Sequence, residues 1–96
     1  MKTIRFEWDE NKNTKNKKKH QVSFEEAQSV FYDDDALVRD DPDHSEEEDR
    51  FLILGFSIKA NMLVVSHCYR EDDETIRIIS ARKATKNEAE QYNAQL

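Results

Sequence analysis

Arg50-Phe51-Leu52-Ile53-Leu54-Gly55-Phe56-Ser57-Ile58, Met62-Leu63-Val64-Val65-Ser66-His67-Cys68-Tyr69-Arg70 and Glu74-Thr75-Ile76-Arg77-Ile78-Ile79-Ser80-Ala81-Arg82 are three runs rich in β-branched, aromatic and aliphatic residues. Such residues suit a pleated, half-buried surface. The intervening segments, Lys59-Ala60-Asn61 and Glu71-Asp72-Asp73, are short enough to join antiparallel neighbours directly. The stretch therefore predicts a three-stranded meander. Working towards the N-terminus, Ala36-Leu37-Val38-Arg39 reads as a short strand before a turn at Asp40-Asp41-Pro42-Asp43. Before it, Ser23 lies three residues ahead of Glu26, the spacing of a capping box, and Phe24, Ala27, Val30 and Phe31 follow at helical intervals. Residues 10–20 are almost wholly polar. With Asp9 as cap they predict a surface-lying helix, poorly anchored, with its lysines in water. Lys2 to Trp8 alternates like a half-buried strand. Beyond the meander, Ala89, Tyr92 and Leu96 form a sparse apolar stripe on a terminal helix over residues 87–96. The expected order is β-α-α-β-β-β-β-α: an α+β fold with an antiparallel sheet and helices packed mainly on one face.

Ninety-six residues suffice for one core and one domain, residues 1–96. The chain is 36% hydrophobic and 38% charged, yet its apolar residues are gathered into runs, which favours order. The single cysteine, Cys68, excludes an intramolecular disulfide and a multi-thiolate zinc site, and suits a reducing cytoplasm. The N-terminus lacks an apolar signal core and no apolar run is long enough to span a bilayer, so no membrane partner is expected. The formal net charge of −6 argues against a nucleic-acid ligand, but its distribution reverses that inference. Residues 33–49 hold ten acids and one base, which leaves +3 on the remainder. Positive charge collects at Lys12, Lys15, Lys17, Lys18 and Lys19, where a solvated face is the plainer reading, and again at Arg70, Arg77, Arg82, Lys83 and Lys86.

His44 beside Asp40, Asp41 and Asp43 is the nearest approach to a metal site, but paired-ligand spacing is missing, so neither metal nor cofactor is expected. Cys68, inside a strand, reads as a buried thiol. The informative set is His67, Tyr69 and Arg70 on one strand, with Arg77, Arg82 and Lys83 on or just after the next, which antiparallel pairing makes neighbours. Cleaving RNA needs the ribose 2′-OH deprotonated, phosphorane charge stabilised and the 5′-oxygen protonated. Histidine with arginine or lysine is sufficient for that. Tyr69 suits stacking on an unpaired base, and Arg70 and Lys86 suit phosphate contacts. Equally, Arg77 reads as an ion-paired strand residue and His67 as an ordinary core histidine.

The ordered set Phe6-Glu7-Trp8-Asp9 with Asn11 and Lys12, Lys19-His20, Val22-Ser23-Phe24-Glu25-Glu26-Ala27, Val30-Phe31, Asp41-Pro42-Asp43-His44-Ser45, Arg50 to Gly55 and Ile76 to Thr85 resembles the BrnT family of type II toxin–antitoxin ribonucleases. The resemblance implies a RelE-like fold and RNA cleavage without a required metal. It also implies neutralisation by a BrnA-like ribbon-helix-helix antitoxin, through which alone the pair would contact operator DNA and repress its operon. The toxin alone would be a monomer, with a higher assembly formed by the antitoxin. The family's basic active-site residues fall on Arg77 and Arg82, with Arg50, His67 and Lys83 as further members. One departure is Gln21, where the family usually has the glycine that ends a helix. If the arginines project onto one open concave surface, a ribonuclease follows. If they are buried or ion-paired, a toxin-like fold that only binds a DNA-binding regulator follows instead.

Overall fold

A computed structural model describes residues 4–41 and 49–96. The elements are β1 (Arg5–Glu7), α1 (Glu10–His20), α2 (Phe24–Ser29), a 3₁₀ turn (Val30–Tyr32), β2 (Leu37–Asp40), β3 (Phe51–Phe56), β4 (Met62–Tyr69), β5 (Thr75–Lys83) and α3 (Lys86–Ala94). Pro42, Asp43 and the metal candidate His44 lie outside the described residues.

The strands form one sheet in the order β1-β5-β4-β3-β2. The meander pairs antiparallel as its short turns require, but β1 runs parallel to β5, with Glu7 opposite Arg77. The expected all-antiparallel sheet is therefore mixed: β2 runs opposite to β1, and three antiparallel reversals leave β5 pointing the same way as β1. Two of the three helices, α1 and α2, share one face, and α3 is the exception. Val22, Phe24, Ala27 and Val30, from α2 and the segments flanking it, pack on Ile53, Leu63, Val65, Ile78 and Ala81 on one face. Tyr92 of α3 packs on Leu54 and Val64, whose side chains leave the opposite face.

Helix α1 has no apolar stripe and is instead held by asparagines. Asn13 donates to Glu25 Oε1 at 2.9 Å and accepts from the Phe24 amide at 2.9 Å. Asn16 donates to the carbonyls of Val22 and Ala81, each at 2.8 Å, and accepts from the Ala81 amide at 3.1 Å. Both are buried, so the expected poor anchoring is replaced by a polar one whose groups are all bonded. Asp9 and Ser23 cap α1 and α2, and Thr85 with Glu88 forms a capping box on α3. Helix α1 ends at Gln21, which takes the left-handed conformation at φ 61° in place of glycine. Glycine is required at Gly55: a Cβ there would sit 2.9 Å from Asp33 Oδ2. That carboxylate is fixed by the Phe56 amide and the Tyr92 hydroxyl, so it cannot move aside.

Candidate active site

Arg77 and Arg82 are five residues apart, and in a regular strand they would face opposite sides of the sheet. The β5 ladder is irregular. Ser80 pairs with Ser66, but the next partner, His67, lies opposite Ile78, leaving Ile79 as an extra residue. Val64, Ser66 and Cys68 alternate onto one face, and their partners Arg82, Ser80 and Arg77 share it. The bulge thus turns both arginines to the face that α3 covers only in part. Arg50, just before β3, joins Arg82: a cavity of 240 Å³ on this face is lined by Asp41, Arg50, Leu52, Ser66, Ile79, Ser80 and Arg82, while Arg77 lies on the same face beside Glu7 of β1.

Each arginine is held by a carboxylate from a neighbouring element. Arg82 donates from Nη1 to Glu88 Oε1 at 2.7 Å and from Nη2 to Oε2 at 2.9 Å, a two-pronged pair that adds geometric precision to charge. Glu88 also accepts from the Thr85 amide at 2.8 Å. The Arg82 hydrogen bonds are the main reason that the Glu88 carboxyl is lowered to about 2, and they raise Arg82 in turn. Arg77 donates from Nη1 to Glu7 Oε2 at 2.7 Å, and Arg70 Nε approaches the same oxygen at 3.9 Å. All these pairs are partly solvent-exposed, so their net contribution to stability is modest. Guanidinium N–H groups not used by the carboxylates are available to a further acceptor.

The remaining sequence candidates divide. Arg70 reaches the same cluster through Glu7, and Lys86 is exposed at the start of α3. His67 does not join them. It alternates onto the helix face, is fully buried, and is ringed by Phe31 at 4.7 Å, Tyr69 at 5.5 Å and Phe51 at 6.1 Å between ring centroids. Its Nδ1 lies 3.1 Å from the Val65 carbonyl and its Nε2 is unpartnered. Burial lowers its pKa and keeps it neutral. Tyr69 and Lys83 pair with Ile76 and Leu63, which places their side chains on the His67 side. Adjacency in the ladder, which the sequence indicated, is not adjacency of side chains. Sequence reasoning passed over Glu7, Glu88, Ser66 and Ser80, and weighed Asp41 only as a metal ligand. Glu88 had a visible signal in the Thr85-x-x-Glu88 spacing, and the bulge had one in the doubled Ile78-Ile79, which breaks the alternation. Among the described residues, no group of three or more His, Cys, Asp or Glu is gathered as a metal would need. Likewise no described helix is long and apolar enough to cross a membrane.

The family model for the ribonuclease toxin BrnT of type II toxin–antitoxin systems matches residues 8–88. The chain belongs to the BrnT family. The match takes in α1, the whole meander, Arg77, Arg82 and Glu88. Among solved structures, the Brucella abortus ribonuclease toxin BrnT, determined at 1.1 Å, superposes with a TM-score of 0.63 at 21% identity, covering 88% of this chain and 100% of that one. At that identity the likeness speaks for the BrnT fold rather than for individual site residues. Among curated proteins none matches.

Proposed function

We propose that this BrnT-family chain is a metal-independent endoribonuclease, acting as one RelE-like domain over residues 1–96. The observation that carries the reading is the β5 bulge, which turns Arg77 and Arg82 to one face, with Arg50 beside Arg82. On attack by a ribose 2′-oxygen, the phosphorus gains negative charge on its equatorial oxygens. Guanidinia fixed in advance by Glu7 and Glu88 meet that charge without having to reorganise. Water takes the 2′-OH proton as the 2′-oxygen bonds to phosphorus, the bond from phosphorus to the 5′-oxygen breaks, the 5′-oxygen takes a proton from water, and a 2′,3′-cyclic phosphate remains. In this scheme Arg77 and Arg82 stabilise charge, Arg50 assists from the opposite wall of the groove, and Arg70 and Lys86 contact flanking phosphates. His67, Lys83 and Tyr69 supply no group to this groove. Cleavage of cytoplasmic RNA would block translation. A BrnA-like antitoxin with a ribbon-helix-helix portion would neutralise the monomeric toxin, and the assembled pair would repress its operon.

A second reading is favoured by one observation: both arginines are already paired with carboxylates. In it the fold is catalytically silent and serves as the protein partner of a DNA-binding regulator. Induced expression separates the two. Wild type should arrest growth and degrade cellular RNA, whereas an Arg77→Ala/Arg82→Ala variant at matched soluble level should do neither. Intact RNA in a well-expressing wild-type culture would leave the partner-only reading.

A further inference from the structure

The five lysines of α1 are exposed, and the way the helix is anchored sorts them into two flanks. Asn13 and Asn16 mark the buried line. Asn13 bonds to Glu25 at the start of α2, and Lys17 acts on the same carboxylate, so the Lys17 flank faces α2. Asn16 points instead to β5. Lys12, Lys15 and Lys19, at i, i+3 and i+7, share one stripe on this Asn16 flank.

What that flank borders is an open sheet edge. Strand β1 pairs with β5 only over Thr75–Arg77, so among the described residues no strand covers the side of β5 away from β4 from Ile78 to Lys83. There the Asn16 carboxamide takes both the N–H and the C=O of Ala81, standing in for a strand. Ala81 adjoins Arg82, whose side chain enters the groove on the far face. Among the described residues none of the three lysines is ion-paired, unlike Arg77 and Arg82.

We propose that Lys12, Lys15 and Lys19 form a phosphate-binding ridge that leads the backbone of an RNA strand past the β5 edge to the Arg77/Arg82 groove. The choice of ligand rests on the ribonuclease reading. Charge complementarity and repeat favour it: successive lysines rise along the helix by about 4.5 and 6 Å, a spacing that suits a string of single negative charges. The ridge gathers positive charge that the formal net charge of −6 conceals.

The test is fluorescence anisotropy with a labelled 2′-O-methyl RNA oligomer, which has no free 2′-OH and so is not cleaved, titrated at several salt concentrations. A Lys12→Gln/Lys15→Gln/Lys19→Gln variant should melt like the parent. It should bind about tenfold more weakly near 0.1 M salt, with a salt slope smaller by about two, at ~0.7 per phosphate neutralised on a single strand. Lys17→Gln/Lys18→Gln, on the other flank, should bind within about twofold of the parent. Equal losses in both variants would overturn the ridge in favour of undirected charge. Unchanged affinity in the triple variant would also overturn it and leave the stripe to an acidic protein segment. Failure of the parent to bind at all would have the same effect. Failure of the ribonuclease reading looks different: the parent binds this oligomer but leaves ordinary RNA uncut.

Discussion

His67 shows how far a single residue can mislead when read by type. An imidazole within a basic cluster resembles a proton shuttle, yet here it is enclosed by three aromatic rings and its Nε2 has no partner. Leaving such a group unpaired costs about 1–3 kcal/mol. His67→Phe should therefore keep RNA cleavage and raise stability by about 1 kcal/mol. The pH dependence has a definite sign. Burial lowers the folded-state value, while the unfolded chain takes up its proton near the ordinary value of 6.5. Stability is thus full above 6.5 and falls as pH drops below it towards the folded-state value. Thermal melts of parent and His67→Phe between about pH 5 and pH 8 should diverge on the acid side. Loss of cleavage by a stable His67→Phe protein would place the imidazole in the chemistry after all. Gln21 is a second single-residue case. Its left-handed backbone is strained for any residue but glycine, so Gln21→Gly should stabilise the chain by about 0.5–1 kcal/mol in urea unfolding.

At the scale of elements, the bulge in β5 decides which of its side chains share a face. Deleting Ile79 removes the bulge and leaves Arg77 and Arg82 four residues apart, an even spacing that keeps both on one face of a regular strand. The deletion variant should keep its β-sheet circular dichroism and cleave within about tenfold of the parent. Loss of cleavage in a folded deletion variant would show that a shared face is not sufficient and that the bulge itself shapes the site. The three meander strands were legible because apolar β-branched runs joined by three-residue turns leave few alternatives. The parallel pairing of β1 was not, since a three-residue strand carries no mark of its partner's direction. The side taken by α3 was also hidden, because both sheet faces are apolar where it docks. Helix α1 looked unanchored because asparagine is scored as a surface residue. Nothing in composition says that Asn16 will occupy both backbone groups of Ala81. Asn16→Leu would leave those groups and the Val22 carbonyl without their partner, at a cost of about 2–4 kcal/mol in chemical unfolding.

Across the whole molecule, function depends on where charge is placed rather than on its sum. Four arginines, at positions 50, 70, 77 and 82, gather on one side of the sheet, and carboxylates from β1 and α3 hold two of them firmly. That arrangement also sets acid tolerance. The Glu88 carboxyl, lowered from 4.5 to about 2, contributes stability above 4.5 that is lost as pH falls through 2. Of the candidate site, the identity of the arginines was legible in the chain. Their common face was not, because it depends on one extra residue in a strand. The most direct measurement is cleavage of a defined RNA by purified parent, Arg77→Ala and Arg82→Ala proteins in the presence of EDTA, with products checked for 2′,3′-cyclic phosphate ends. Parent cleavage with cyclic ends, reduced about 100-fold or more in each folded variant, is the expected result. Undiminished cleavage in both variants, or a parent that leaves RNA intact, would contradict an active site built on these two arginines.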